Sequence, residues 1–221
     1  MSENSQKSNQ IKINEIFFSI QGESTRFGLP TVFVRTSGCH LRCTYCDTTY
    51  AYHKGEWQTV DNIVDKIREY PTRYICVTGG EPLLQKAVLP LMVQLSDEGY
   101  QVSLETSGDI SCEGVDPRVK KIIDVKTPDS GAFEAFSEKN LQLDDVNSEF
   151  KFVICSEKDF NWSVQFCVDN NLFEKFPVLF SPSFSQVDEK WLAKKILSVS
   201  HPIRLQLQMH KYIWSPEEVG V

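Results

Sequence analysis

Three thiols lie within eight positions of one another in the stretch SGCHLRCTYCDTTY, residues 37–50, at the spacing Cys39-x3-Cys43-x2-Cys46. Thiols this dense suit a disulfide framework poorly and an odd set leaves one unpaired, so a shared metal centre is the better reading. A structural zinc site needs a fourth ligand to close its tetrahedron. His40 offers one, but it adjoins Cys39 and would have to fold back onto the same ion, so zinc is the weaker alternative. Iron–sulfur clusters commonly take four cysteines, and three on one loop leave an iron open to an outside ligand. The other four cysteines, Cys76, Cys112, Cys155 and Cys167, are scattered, with Cys76 and Cys155 inside apolar runs where a free thiol packs as a small hydrophobe. A second group with chemical potential is Thr78-Gly79-Gly80-Glu81-Pro82, directly after the apolar run YICV. Glycine at a strand end allows positive φ and a close approach of the backbone to a ligand.

Such loops need a scaffold that presents them on one side. Apolar β-type runs recur through the chain: IKINEIFFSI, TVFVRTSG, YICVTGG, QVSLETSG, KKIIDVKTP, EFKFVIC, FPVLFSP and IRLQLQMH. Helical spacing appears between some of them, at Ile63, Ile67 and Tyr70 after Thr59, at Val88 to Leu95, at Trp162 to Val168 and at Trp191 to Leu197. This alternation predicts parallel βα units in one sheet. With fewer clear helices than strands, it predicts an α/β fold of the open, partial (βα)6 barrel kind with reduced helix content, whose strand-end loops share a rim. The polar start MSENSQKSNQ reads as a disordered tail over residues 1–10, ahead of a single domain over 11–221. A chain of 221 residues is long enough to bury a substantial core. A formal charge of -7 argues against broad nucleic-acid binding, while leaving room for a local basic pocket. No signal-like start and no long apolar span is present, so no membrane partner and a cytoplasmic setting are expected. A reducing compartment also fits cysteines reserved for metal chemistry.

The three-cysteine spacing together with TGGEP resembles the radical S-adenosylmethionine (SAM) superfamily. The resemblance implies a [4Fe-4S] cluster on Cys39, Cys43 and Cys46, SAM at the open iron, and a 5′-deoxyadenosyl radical aimed at a substrate C–H. Four further stretches carry a narrower likeness: SIQGE (19–23), FVRTSGCHLRCTYCDT (33–48), VTGGEPLLQ (77–85) with LETSG (104–108), and QLQMHKY (206–212). On these the chain resembles the 7-carboxy-7-deazaguanine synthase family, which contracts the ring of 6-carboxy-5,6,7,8-tetrahydropterin on the way to queuosine and related deazapurines. The likeness implies substrate contacts from Ile20, Gln21, Gly22, Glu23, Arg35, Thr78 and His210. It implies SAM contacts from Tyr45, Cys46, Asp47, Gly80, Lys126 and Ser181, and Mg2+ on the Thr48 hydroxyl, oxygen chemistry that suits this ion. A carboxylate such as Glu23 suits the pterin's amino and ring N–H donors, and the fixed fork of Arg35 suits an anionic or carbonyl acceptor. An electron donor such as flavodoxin or ferredoxin and a homodimer are also implied. Two features depart from the family: Ser24 stands where glycine is frequent, which puts the loop geometry in question, and the chain continues through IWSPEEVGV past the end of some relatives. A glycyl-radical-enzyme activating protein is the enzyme alternative; it shares the cysteine spacing but has no use for the pterin constellation. An iron–sulfur electron carrier or zinc-stabilised binding module has no use for TGGEP and DVKTP.

Overall fold

The computed structural model describes residues 9–221. Nine strands form one sheet: β1 (Gln10–Ile20), β2 (Pro30–Thr36), β3 (Glu56–Thr59), β4 (Tyr74–Gly79), β5 (Gln101–Thr106), β6 (Lys120–Asp124), β7 (Ser148–Ile154), β8 (Val178–Pro182) and β9 (Ile203–Leu205). Their order is β3-β1-β2-β4-β5-β6-β7-β8-β9, so β3 and β9 are edges and the barrel stays open. All eight apolar runs become strands. The one addition is β3, whose sequence EWQT carries no apolar alternation; it is recruited by pairing with β1, from Gln10 opposite Thr59 to Ile13 opposite Glu56.

The expectation of a wholly parallel sheet needs correction. From β2 through β4 to β9 every neighbouring pair is parallel, but β1 runs antiparallel to β2, and β3 antiparallel to β1. The reason is connection length, since only residues 21–29 link β1 to β2 and a parallel crossover needs about a dozen or more. Of the tail expected over residues 1–10, residues 1–8 lie outside the described residues, and Gln10 already opens β1.

Helices α1 (Val60–Arg68), α2 (Val88–Asp97), α3 (Glu157–Asp169) and α5 (Glu189–Leu197) match the predicted periodic segments, except that α1 stops before Tyr70, with short α4 (Leu172–Lys175) and α6 (His210–Ile213) added. Their starts follow N-cap chemistry: Thr59, Ser156 and Asp188 accept from the backbone N–H of Asn62, Asp159 and Trp191. Ile63, Val64 and Ile67 of α1 and Leu91, Met92 and Leu95 of α2 are fully buried in one core with Val32, Ile75, Leu104, Phe152 and Phe180 from the strands. Burying a large aliphatic side chain contributes roughly 1.5–3 kcal/mol, so this layer holds the outer face of the sheet. No α-helix follows β5 or β6. Residues 107–119 and 125–147 instead make loops and 3-10 turns, which lie over the rim of the sheet beside the cysteine loop.

Candidate active site

The carboxyl ends of the parallel strands frame a cavity of about 340 Å3. Cys39, Cys43 and Cys46 line it from the loop after β2, and every site residue expected from the sequence lines it as well. The cysteine loop has no regular structure between Ser37 and Thr48 and is held from outside. Gly38 donates to Ala51 O at 3.0 Å and accepts from Glu81 N at 2.8 Å, while Thr44 N donates to Ser130 O at 2.9 Å. Arg42 donates to Cys39 O and Leu41 O at 2.8 and 2.6 Å and lies 4.3 Å over the Tyr52 ring.

The two glycines of TGGEP have a sharper reason than ligand access. Gly79 sits at φ +134 with its α-carbon packed on Thr36, and a Cβ on Gly80 would stand 2.0 Å from Gly38 O. Gly80 is therefore needed for the strand end to touch the cysteine loop itself, and Gly79 for it to lie against the end of β2. Glu81 is fully buried and accepts from Leu83 N, Thr106 Oγ1 and Ser107 N, which ties TGGEP to the end of β5.

The donor set fits the groups the sequence implies. Among the described residues no three His, Cys, Asp or Glu side chains converge on the space of a single ion. Thiolates that each bind a different iron of a cubane have no need to converge, and His40 lies outside the cavity lining. Burial pushes the Cys39 and Cys43 thiols up, with Lys126 opposing this at Cys43, so cluster binding must displace their protons. Beside the cysteines, Lys126 is 6% exposed, bonds Asp124 at 2.8 Å and lies 5.7 Å over the Tyr45 ring. Burial opposes its charge, yet Asp124, with Tyr45 and Cys43, together outweigh it and hold its pKa above the ordinary value. A fixed cation there suits the carboxylate of SAM. Ser181 on β8 is buried and lines the same cavity. For Mg2+ the test is whether an oxygen is free. Thr48 Oγ1 donates to Asp47 Oδ1 at 2.9 Å, which leaves the hydroxyl lone pairs to a cation, whereas Asp47 Oδ2 is engaged by Lys211 at 2.7 Å and Gln208 at 3.2 Å.

Of the substrate candidates, Gln21, Glu23 and Thr78 belong to one polar network in the cavity. Glu23 Oε2 accepts from Lys151 at 2.6 Å and Oε1 from Gln208 at 3.0 Å; Lys151 also approaches Asp124 at 3.5 Å. Gln21 Nε2 and Thr78 Oγ1 both donate to Glu105, at 3.3 and 3.0 Å. Burial raises the Glu105 carboxyl above the ordinary value and the nearby charge of Glu23 adds to it, against Lys151 and the Thr78 hydroxyl. Arg35 bonds Glu15 on β1 at 2.7 Å through Nε and lies over the rings of Phe17 and Tyr50, and Tyr50 OH donates to the same Glu15 oxygen. It is a braced cavity residue rather than a solvent-facing edge residue. Gly22 packs under α6, where a Cβ would meet His210 Nδ1 at 2.4 Å, and its carbonyl accepts from Met209 N. Burial lowers the His210 pKa despite Glu23 and Asp47, which favours the neutral ring. Ile20 lines the cavity at the end of β1.

Ser24 answers the question its identity raises. It adopts φ +68, the left-handed conformation that glycine takes without penalty. Its hydroxyl accepts from Arg26 N at 3.0 Å, and Thr25 is anchored to Glu149, so the turn survives the change of residue. The segment after α6 returns to the cavity, where Val219, Gly220 and Val221 form part of the wall.

Among the cavity residues that escape the sequence reading are Glu105, Asp124 and Lys151. Their trace was present in the sequence as charges inside apolar strands, QVSLET, KKIID and EFKFVI, positions that a strand core rarely grants a charge without a partner.

A profile of the radical SAM superfamily matches residues 33–125. A 7-carboxy-7-deazaguanine synthase of Chlorobaculum tepidum is 42% identical over 214 residues, covering 96% of this chain and 97% of that protein. Another, from Koribacter versatilis, is 38% identical over 226 residues, covering 96% and 100%. In fold the chain resembles QueE from Escherichia coli, with a TM-score of 0.76 at 23% identity over 95% of this chain and 99% of that one. A looser likeness in fold, TM-score 0.58 at 10% identity, extends to SuiB of Streptococcus suis over 79% of this chain and 47% of that one. Identity of 42% sustained along both whole chains is far beyond what a shared barrel requires, and by it this chain belongs to the 7-carboxy-7-deazaguanine synthase family.

Proposed function

We propose that this chain converts 6-carboxy-5,6,7,8-tetrahydropterin to 7-carboxy-7-deazaguanine with loss of ammonia. The observation that carries the reading is the meeting, in one cavity, of the cysteine loop with Gln21, Glu23, Arg35, Thr78 and His210. When bound, the [4Fe-4S] cluster on Cys39, Cys43 and Cys46 and SAM supply a 5′-deoxyadenosyl radical that removes a hydrogen atom from the substrate. The protein's part is to hold SAM and pterin in reacting order. In this reading Tyr45, Cys46, Asp47, Gly80, Lys126 and Ser181 take SAM, and Ile20, Gln21, Gly22, Glu23, Arg35, Thr78 and His210 take the pterin; all of them line the cavity. Glu23 accepts from the pterin N–H groups, its charge balanced by Lys151. Arg35, braced by Glu15, offers its remaining guanidinium donors to an anionic or carbonyl oxygen of the substrate. Glu105, whose buried carboxyl retains a proton more readily than an exposed one, is suited to supply the proton that departing ammonia needs. The Thr48 hydroxyl would help hold Mg2+, which would supply positive charge beside the anionic oxygens of the substrate.

The wider reading is a single domain over residues 11–221, working as a homodimer in the cytoplasm and reduced by a flavodoxin or ferredoxin. No helix among the described residues is long and apolar enough to cross a membrane. The activating-enzyme alternative acts on a polypeptide and leaves the polar network without a purpose.

Glu23→Gln separates the two. It keeps the volume but replaces one acceptor oxygen with an amide, so carboxytetrahydropterin binding falls about tenfold to a hundredfold, as for a loss of about 1–3 kcal/mol. SAM affinity holds. Equilibrium titration of both ligands checks this, and unchanged pterin affinity contradicts the assignment.

A further inference from the structure

We propose that His40 and Asp109 form the latch that holds the cysteine loop in a cluster-ready shape; this rests on the reading of Cys39, Cys43 and Cys46 as cluster ligands. His40 follows Cys39 directly, yet its Nε2 lies 2.5 Å from Asp109 Oδ2, in the loop after β5. Asp109 is only 7% exposed at its side chain, whereas His40 is 47% exposed and lies outside the cavity. The contact continues inward. Ser107 Oγ sits 2.5 Å from Asp109 Oδ1 and 2.5 Å from Glu81 Oε2, Ser107 N donates to Glu81 at 2.7 Å, and Glu81 N donates to Gly38 O at 2.8 Å.

These bonds close a circuit. It leaves the cysteine loop at Gly38, passes through the ends of β4 and β5, and returns at His40, so that Cys39 is clamped from both neighbours. On the far side, Thr44 N on Ser130 O holds the residue after Cys43. Between these clips Arg42 bonds the loop's own Cys39 O and Leu41 O, and beyond Thr44 the backbone bond of Cys46 N is again local, to Cys43 O. A solvent-exposed ion pair contributes little, but removing His40 leaves a buried carboxylate with Ser107 as its remaining hydrogen-bond partner, and a loop ordered beforehand loses less entropy when it takes up the cluster. The absence of helices after β5 and β6 fits this role, because both connections are spent as pads against the loop. His40 and Asp109 are thus positioning residues that act through Cys39.

The test uses His40→Ala, Asp109→Asn, their double variant and His40→Gln, whose side-chain N–H can still reach Asp109. Amide hydrogen exchange of residues 39–46 is followed in the cluster-free chain, and iron release to a chelator in the reconstituted protein. The expected result is about tenfold faster exchange confined to 39–46 and a similar acceleration of iron loss in both single variants, the factor that about 1.4 kcal/mol represents. The double variant is no worse than either single one, and His40→Gln restores the parent rates. Unchanged exchange in His40→Ala overturns the latch, as does acceleration that spreads equally through β4 and β5, or failure of Gln to restore. Should the parent assemble no cluster, the cluster reading falls while the exchange experiment still decides the latch.

Discussion

Thr48 shows how little distinguishes a working residue from a turn residue at the scale of one side chain. Its hydroxyl spends its proton on Asp47 and keeps its lone pairs, and nothing else in the described structure claims them. Thr48→Ala is expected to leave the cluster and SAM binding intact while raising the magnesium concentration needed for half-maximal turnover by about tenfold, since one of several oxygen ligands is lost from a hydrated ion. A turnover titration against MgCl2 decides it, and an unchanged curve removes Thr48 from the site. That the three grouped cysteines share one cavity was legible from their spacing, which keeps them on one short loop. Glu105, Asp124 and Lys151 were harder, because a single charge in a strand reveals nothing until the partner on the next strand is known. Asp124 lies on β6 between Lys126 two residues on and Lys151 on β7, and only the parallel pairing of β6 with β7 joins them.

Among the elements, the strand ends do the positioning, and their glycines set the tolerance. Gly80→Ala is expected to push its Cβ onto a backbone carbonyl that has no room to move, displacing the cysteine loop and costing about 1–3 kcal/mol or more. Gly114→Ala, whose Cβ would meet only Leu89 at 3.7 Å, is the control. Melting temperature together with iron content after reconstitution checks both, and a Gly80→Ala protein that keeps full iron and stability contradicts the packing argument. Strands were easy to read because eight of nine are apolar runs with turn residues after them. Strand direction was not, since it is set by the brevity of residues 21–29 and not by the residues of β1. Nor was β3, whose EWQT takes its conformation from pairing with β1. Helices α1, α2, α3 and α5 followed their periodicity and caps, while α4 and α6, at four residues each, are too short to show a period.

The molecule as a whole carries a net charge of -7, yet it concentrates both signs inside one cavity: Glu23, Glu105 and Asp124 against Lys126 and Lys151. This arrangement leaves a mark on stability. Burial raises the Glu105 pKa, so the stability it permits is fully present below the ordinary value of 4.5 and is lost as pH rises toward the folded-state value. Gln has no such loss. The stability of Glu105→Gln relative to the parent is therefore expected to rise between pH 4 and pH 8, which urea unfolding at each pH measures, and a difference independent of pH contradicts the buried, proton-retaining carboxyl. The central claim is that this cavity brings a carboxylated pterin to a SAM-derived radical. Its most direct test is anaerobic incubation of the reconstituted parent protein with 6-carboxy-5,6,7,8-tetrahydropterin, SAM, Mg2+ and a reductant, with products identified by mass. The account predicts 7-carboxy-7-deazaguanine and ammonia in equal amounts, the hydrogen atom first removed being returned so that SAM is not consumed, with pterin consumption abolished by Cys43→Ala. Unaltered pterin alongside hydrogen-atom transfer from a glycine-containing protein would contradict it.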